Sequence, residues 1–294
     1  MINTPFNYTG SKFKILEQIL PLFDYDKDYF IDLFCGGGSV YTNVVSRYKR
    51  VLINDIITDL VLIHKNLIHN PDEFISSVKE VIVKSKDDVD YYLELRSDYN
   101  KNKSPEKLWA LMLSCTNNMM RFNKKFEFNQ TFGKRTWNDS TENKVNTFVN
   151  FIHNYKDKIK FESKHFFEII PQKPTMVYLD PPYINTEAGY NAYWSSSFEK
   201  RLYEYILELN NNGHSFMLSG VKGKHKKDEE SALINSLINY GFNYRIIDLD
   251  YEKVARKKNS KESQEIVIFN YEVISENQIV PKRVEKSNAP ISLF

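Results

Sequence analysis

One stretch near the start restricts the fold of this chain more than any other. Residues 29–34 read as a buried strand that breaks at Gly36-Gly37-Gly38, and residues 39 to about 48 read as a helix. Val51-Leu52-Ile53 reads as a second strand ending at Asn54-Asp55. A strand, a tight turn, a helix and a strand in that order build parallel α/β sheets, because the helix must cross back over the sheet to restart the next strand. Glycines at the turn let the backbone approach a ligand or a packed side chain closely.

Later segments repeat this texture. Strands are expected at 159–162, 176–179, 215–219, 244–249 and 265–271. Helices are expected at 198–211 and 231–240. Between residues 71 and 150 the texture changes. A charged helical stretch runs to 102, a helix to 115, a polar loop rich in Asn and aromatics over 116–139, and a helix over 142–155. The expected architecture is one discontinuous α/β domain, residues 1–60 plus 150–273. It is interrupted by a mostly helical unit at 61–149 and followed by a flexible tail at 274–294.

Bulk numbers narrow the class. The 294 residues are 41% hydrophobic and 27% charged, as in an ordinary soluble protein, and no apolar run approaches a membrane span. Residues 1–9 are polar, so secretion is not expected. Cys35 and Cys115 give neither a disulfide framework nor a metal spacing, which fits a reducing cytoplasm. His225 and the other histidines show no metal spacing either, and no metal is expected. With a net charge of +2, affinity for nucleic acid must come from local clusters.

Two local patterns carry chemistry. At the glycine turn, Gly36 and Gly38 begin a dinucleotide fingerprint, but its third glycine would fall at Tyr41, whose bulk opposes close helix–strand packing. A plain structural turn is the competing explanation. Asp55, at the end of the second strand, is placed to bind ribose hydroxyls, or to act simply as a helix N-cap. The second pattern is Asp180-Pro181-Pro182-Tyr183, directly behind Met176-Val177-Tyr178-Leu179. A carboxylate, a backbone carbonyl held by the fixed φ of proline, and an aromatic face suit chemistry on an exocyclic amine of a flat base. An ordinary proline turn is the bland alternative.

Taken in order, these residues resemble the α-group, Dam-type family of DNA adenine-N6 methyltransferases. Tyr8-Thr9-Gly10-Ser11-Lys12 is similar to that family's N-terminal cofactor motif, residues 30–40 to its glycine-rich motif, and Asn54-Asp55 to its ribose-binding acid. Arg121-Phe122-Asn123 through Phe128-Asn129-Gln130-Thr131-Phe132-Gly133 is similar to its recognition loop, and Asp180–Tyr183 to its catalytic motif. The resemblance implies a Rossmann-like S-adenosylmethionine-dependent methyltransferase sheet with an inserted target-recognition domain. S-adenosylmethionine would be held by Tyr8, Lys12, Asp32, Gly36, Gly38, Asp55 and Asp180. Asp180, Pro181, Pro182 and Tyr183 would be catalytic on an adenine flipped out of double-stranded DNA. Neither cysteine follows a proline, which sets aside cytosine C5 chemistry and its thiolate nucleophile. Amino methylation of cytosine N4 or of RNA adenine, and a catalytically silent DNA-binding relative, remain as competing readings.

The loop over 116–137 concentrates Arg121, Lys124, Lys125, Lys134 and Arg135 against Glu127, with Asn117, Asn118, Asn123 and Asn129 among Phe122, Phe126, Phe128 and Trp137. Arginine reads guanine, asparagine reads adenine, and lysines neutralise phosphates. By the resemblance Arg121 would read guanine, with Asn117 and Met119 near the opened base pair. Asn123, Lys124, Asn129, Arg135, Arg256 and Lys257 complete the expected DNA contacts, and a solvated face is the alternative for any single lysine. Thr116 and Thr131 depart from the family pattern, which has an aromatic and a proline there. The final Ile291-Ser292-Leu293-Phe294 resembles the motif by which bacterial DNA-processing proteins dock on the sliding clamp, with Pro290 in place of its leading glutamine. Packing of these residues on their own domain is the alternative. A monomer or weak dimer is expected.

Overall fold

The computed structural model describes residues 1–84, 87–182, 194–223, 231–247 and 263–273. Its centre is a seven-stranded sheet of order β3-β2-β1-β4-β5-β7-β6. The strands are β1 Tyr29–Asp32, β2 Arg50–Asn54, β3 Ile159–Glu162, β4 Thr175–Leu179, β5 Ser215–Gly223, β6 Asn243–Ile247 and β7 Ser263–Phe269. The first five in this order run parallel, and β7 is antiparallel to both β5 and β6. All seven expected strands are present. The first is shorter than its apolar run: it ends at Asp32, although Leu33 N–H still donates to Tyr178 O and Cys35 N–H to Asn54 O as the chain turns away.

The helices are α1 Leu16–Ile19, α2 Ser39–Val44, α3 Thr58–His69, α4 Pro71–Lys84, α5 Val89–Lys101, α6 Pro105–Ser114, α7 Asp139–Ile152, α8 Ser196–Asn211 and α9 Ala232–Tyr240. Their starts are chemically marked. The side chains of Asp88, Ser104, Asn138, Ser195 and Ser231 each accept a backbone N–H from the first turn of α5, α6, α7, α8 and α9 respectively, and Pro105 occupies the first position of α6. The charged stretch at 71–102, which reads as one helical segment, is two helices.

Strand β4 shows why the sheet is buried on both faces. All five of its residues are buried; Met176 and Tyr178 join one core, Val177 and Leu179 the other. The second core is closed by α8 and α9. The first core extends without a break into α3–α7, through Leu60, Phe74, Tyr99, Trp109 and Phe148. The expected boundary after residue 60 therefore falls inside α3, whose buried face belongs to that shared core. Among the described residues no helix is long and apolar enough to cross a membrane.

Strand β1 lies between β2 and β4, and the chain leaves it in both directions across the sheet. At such a switch point the connections diverge and leave a crevice at the carboxyl ends of the strands. Asp32 closes β1, Asp55 follows β2 and Asp180 follows β4, so three carboxylates from distant parts of the chain reach the same end of three adjacent strands.

Candidate active site

The crevice opens into a cavity of about 530 Å³ lined by Tyr8–Lys12, the 32–40 segment, Asn54–Ile57, Lys164–Phe166, Asp180–Pro182, Trp194 and Phe198. It gathers the expected cofactor residues Tyr8, Lys12, Asp32, Gly36, Gly38, Asp55 and Asp180, with Pro181 and Pro182 beside them. Tyr183 lies outside the described residues, as do Arg256, Lys257, His225 and the tail with Ile291–Phe294.

The turn after β1 shows what its glycines are for. Gly36 has φ +48° and Gly38 φ +78°, a region that side chains rarely adopt. A β-carbon on Gly36 would lie 2.7 Å from the Tyr8 ring, and one on Gly38 would lie 2.5 Å from Tyr41 and 2.8 Å from His64. The space these glycines leave is filled by the protein's own rings. Tyr41, at the position where a dinucleotide fold needs its third glycine, is fully buried under the turn. Its hydroxyl donates to His64 Nδ1 at 2.9 Å, and His64 Nε2–H donates to Gly36 O at 2.9 Å. Burial lowers the His64 pKa to about 4, so the imidazole is a neutral strut.

The carboxylates differ in their surroundings. Asp55 Oδ2 accepts Gly36 N–H and Oδ1 accepts Ile57 N–H, each at 3.0 Å. It thereby ties the glycine turn to the end of β2 and forms a local turn ahead of α3, whose own N-cap, Ile57, makes no side-chain cap bond. Burial raises its pKa, and these bonds oppose the rise. Asp32 is buried; Oδ2 accepts Tyr41 N–H at 3.2 Å, and Oδ1 has no hydrogen-bond partner among the described residues. Burial first, then the charges of Asp180 and Asp55, push its pKa up to about 8 against the one bond from Tyr41. Asp180 Oδ1 pairs with Lys12 Nζ at 2.8 Å, and that ammonium also donates to Gly10 O at 3.1 Å. A buried lysine thus anchors the Asp180 carboxylate.

One wall is aromatic and was not visible in the motifs. Phe34, Phe166, Trp194 and Phe198 touch in series, with ring centroids 5.6 Å apart for Phe34–Phe166 and 5.8 Å for Trp194–Phe198; His165 stacks on Phe198. Ile56, 43% exposed, faces the same cavity. Flat apolar walls of this kind suit a planar heterocycle.

The loop expected to recognise DNA is an irregular hairpin. Phe122 bridges Phe128, Cys115 bridges Phe132, and Asn129 N–H donates to Arg121 O. Asn117, Lys124, Lys125, Lys134 and Arg135 are exposed, whereas Met119, Arg121, Asn123 and Asn129 are half-buried. Arg121 is already engaged: Nε donates to Asn129 Oδ1 at 2.9 Å and Nη2 to Asn129 O at 2.8 Å. Asn123 spends its side chain on the turn, accepting the N–H groups of Lys125 and Glu127. Helix α5 clamps the returning strand at alternate residues. Tyr92 and Arg96 donate to Gln130 O, Asn100 Nδ2 donates to Phe128 O while its Oδ1 accepts Phe128 N–H, and Lys103, just past the helix, donates to Phe126 O. Hydrogen-bonding residues at 92, 96, 100 and 103, helically spaced, are the signal that reveals this stripe.

A switch-point crevice lined by acids, under a sheet whose last-paired strand runs antiparallel between β5 and β6, defines an α/β protein of the Rossmann-like methyltransferase class. Residues 8–266 match the model of the D12 class N6 adenine-specific DNA methyltransferases, and the chain belongs to that family. It is 32% identical over 295 residues to the modification methylase StsI of Streptococcus sanguinis, covering 96% of this chain and 45% of that one. It is 31% identical to the type II methyltransferase M.FokI of Planomicrobium okeanokoites, covering 92% and 43%. The DNA adenine methylase of Escherichia coli K12 is 24% identical, covering 69% and 73%. The chain spans less than half the length of the first two relatives.

Proposed function

We propose that this chain transfers a methyl group from S-adenosylmethionine to the exocyclic N6 of an adenine extruded from double-stranded DNA. The observation that carries this reading is the convergence, in one cavity, of Asp180 and Pro181 with the glycine turn, Asp55 and the unpartnered oxygen of Asp32. The donor set fits the cofactor. Asp55 keeps lone pairs for ribose hydroxyls beyond its two backbone bonds, and Ile56 with the His165–Phe166 wall offers faces for the purine. The cofactor's ammonium is a cation of the kind Asp32, crowded by Asp55 and Asp180, calls for. When bound, S-adenosylmethionine supplies an electrophilic methyl group on sulfur.

The chain's own residues handle the amine. Adenine N6 is a poor nucleophile because its lone pair is delocalised into the ring. The Asp180 carboxylate and the Pro181 carbonyl accept hydrogen bonds from its two N–H groups and favour a pyramidal nitrogen whose lone pair is free to attack in line. Lys12 holds the carboxylate in place, so positioning and electrostatics carry the catalysis. The methylated nitrogen becomes acidic and gives up a proton towards Asp180 without needing a strong base. Arg121, Lys124 and neighbouring residues of the hairpin contact the DNA.

Long-read sequencing of DNA from cells expressing the chain tests the reading. N6-methyladenine in one sequence motif, lost in Asp180→Ala, is expected. No adenine signal, or a cytosine signal in its place, refutes it.

A further inference from the structure

Among the described residues that line the cavity, Phe126 alone comes from the 61–149 segment. It sits at the turn of the hairpin with φ 59° and is 48% exposed. For a residue with a bulky side chain that backbone is strained, and strain that the surroundings maintain marks a position where the side chain's direction matters. The surroundings here do maintain it. Phe126 N–H donates to Asn123 O at 3.0 Å, and its carbonyl accepts Lys103 Nζ at 3.1 Å. The same ammonium lies 4.2 Å above the Tyr99 ring, and Tyr99 donates to Asp59 on α3, the helix that starts just beyond Asp55. The hairpin turn is thereby tied to the helix that leaves the floor of the cleft.

We propose that the Phe126 ring contacts the extruded adenine and holds it in the cavity, with Lys103 as the residue that positions the ring. The inference rests on the function proposed above. The base rather than the cofactor is its ligand because the ring arrives on the hairpin that carries Arg121, Lys124 and Lys125, the side from which DNA approaches. The cofactor purine has its own wall at Ile56, His165 and Phe166.

The test uses the full chain, Phe126→Gly and Phe126→Tyr, and a duplex carrying the motif found by sequencing, with 2-aminopurine at the target adenine for the fluorescence measurement. Glycine accepts the backbone at residue 126, so Phe126→Gly is expected to melt at or above the wild-type temperature and to bind S-adenosylmethionine as the wild type does. It loses about ten- to hundredfold in kcat/KM for DNA, the scale of a lost base–aromatic contact, together with the enzyme-induced fluorescence change. Phe126→Tyr stays within about threefold of wild type, since the ring face is kept. An active wild type with Phe126→Gly unchanged in kcat/KM overturns the contact alone, as does a parallel loss of cofactor affinity. A wild type that methylates no duplex overturns both the contact and the function it rests on.

Discussion

The cleft and the 116–133 hairpin hold their side chains by different means. In the cleft, Asp32, Asp55 and Asp180 are placed by the ends of three paired strands, so backbone ladders set their positions and the side chains add the last bonds. In the hairpin the backbone pairs with itself at isolated bridges only, and side chains from α5 take the place of a neighbouring strand. A site built on ladders is rigid and local to its strand ends. A site held by side-chain clamps can vary residue by residue while the sheet stays the same.

The largest effect that separates the two regions is expected at Lys12. Lys12→Met leaves the Asp180 carboxylate without its buried counter-charge and should lower kcat by about a hundredfold or more, while DNA affinity measured by gel shift is unchanged. A loss of DNA affinity equal to the loss of turnover would mean that the cleft and the hairpin are not separable. Next in size is Gly38→Ala. Its β-carbon would meet Tyr41 and His64 at a backbone angle that penalises any side chain, so about 2–4 kcal/mol of stability should be lost in chemical denaturation. A loss below about 1 kcal/mol would show that the Tyr41–His64 strut yields easily.

The pH dependence of the ligand-free protein gives a smaller but signed test of the cleft. Asp32, raised to about 8, keeps a proton in the fold that the unfolded chain releases near 3.8, so its contribution falls as pH rises from about 4 to 8. His64, lowered to about 4 from 6.5, has the opposite sign: its contribution rises over about 4 to 6.5 and is complete above that. The two oppose each other up to 6.5, and between 6.5 and 8 only the Asp32 loss remains. Calorimetry should therefore show Tm falling from pH 6.5 to 8, and Asp32→Asn should remove the fall. A wild-type Tm that rises over that window would contradict the burial assigned to Asp32.

This contrast also explains what was legible in the sequence. The strands, the glycine turn and the acids at the ends of β1, β2 and β4 are contiguous motifs, because a strand and the residues at its end are neighbours in the chain as well as in space. Lys12 and Tyr8 were legible only through their resemblance to a family motif. The aromatic wall was not, since Phe34, Phe166 and Trp194 meet only after the sheet has formed. His64 was hidden for the same reason, 28 residues from the carbonyl it supports. In the hairpin, composition pointed to Arg121 and Asn129 as two DNA contacts, yet the structure joins them to each other. The helix that clamps Phe128 and Gln130, on either side of Asn129, reads in sequence as an ordinary charged helix.

The smallest effect is the most discriminating. Asn100 both donates to and accepts from Phe128, as a partner strand would, and lies on α5, a helix that contributes no residue to the cavity lining. Asn100→Ala removes two neutral hydrogen bonds, so global stability should fall by only about 1–2 kcal/mol. Because the clamp sets where Phe128 and, one residue on, Asn129 stand, the loss should reach Arg121 through the Asn129 bonds. The expected result is a selective rise in KM for DNA with unchanged cofactor affinity, and a relaxed preference at the base pair proposed for Arg121. Proteolysis within the hairpin should quicken as its backbone loosens. If Asn100→Ala instead lowers turnover with KM unchanged, the clamp acts on the cleft through the shared core, and the two regions are one mechanical unit.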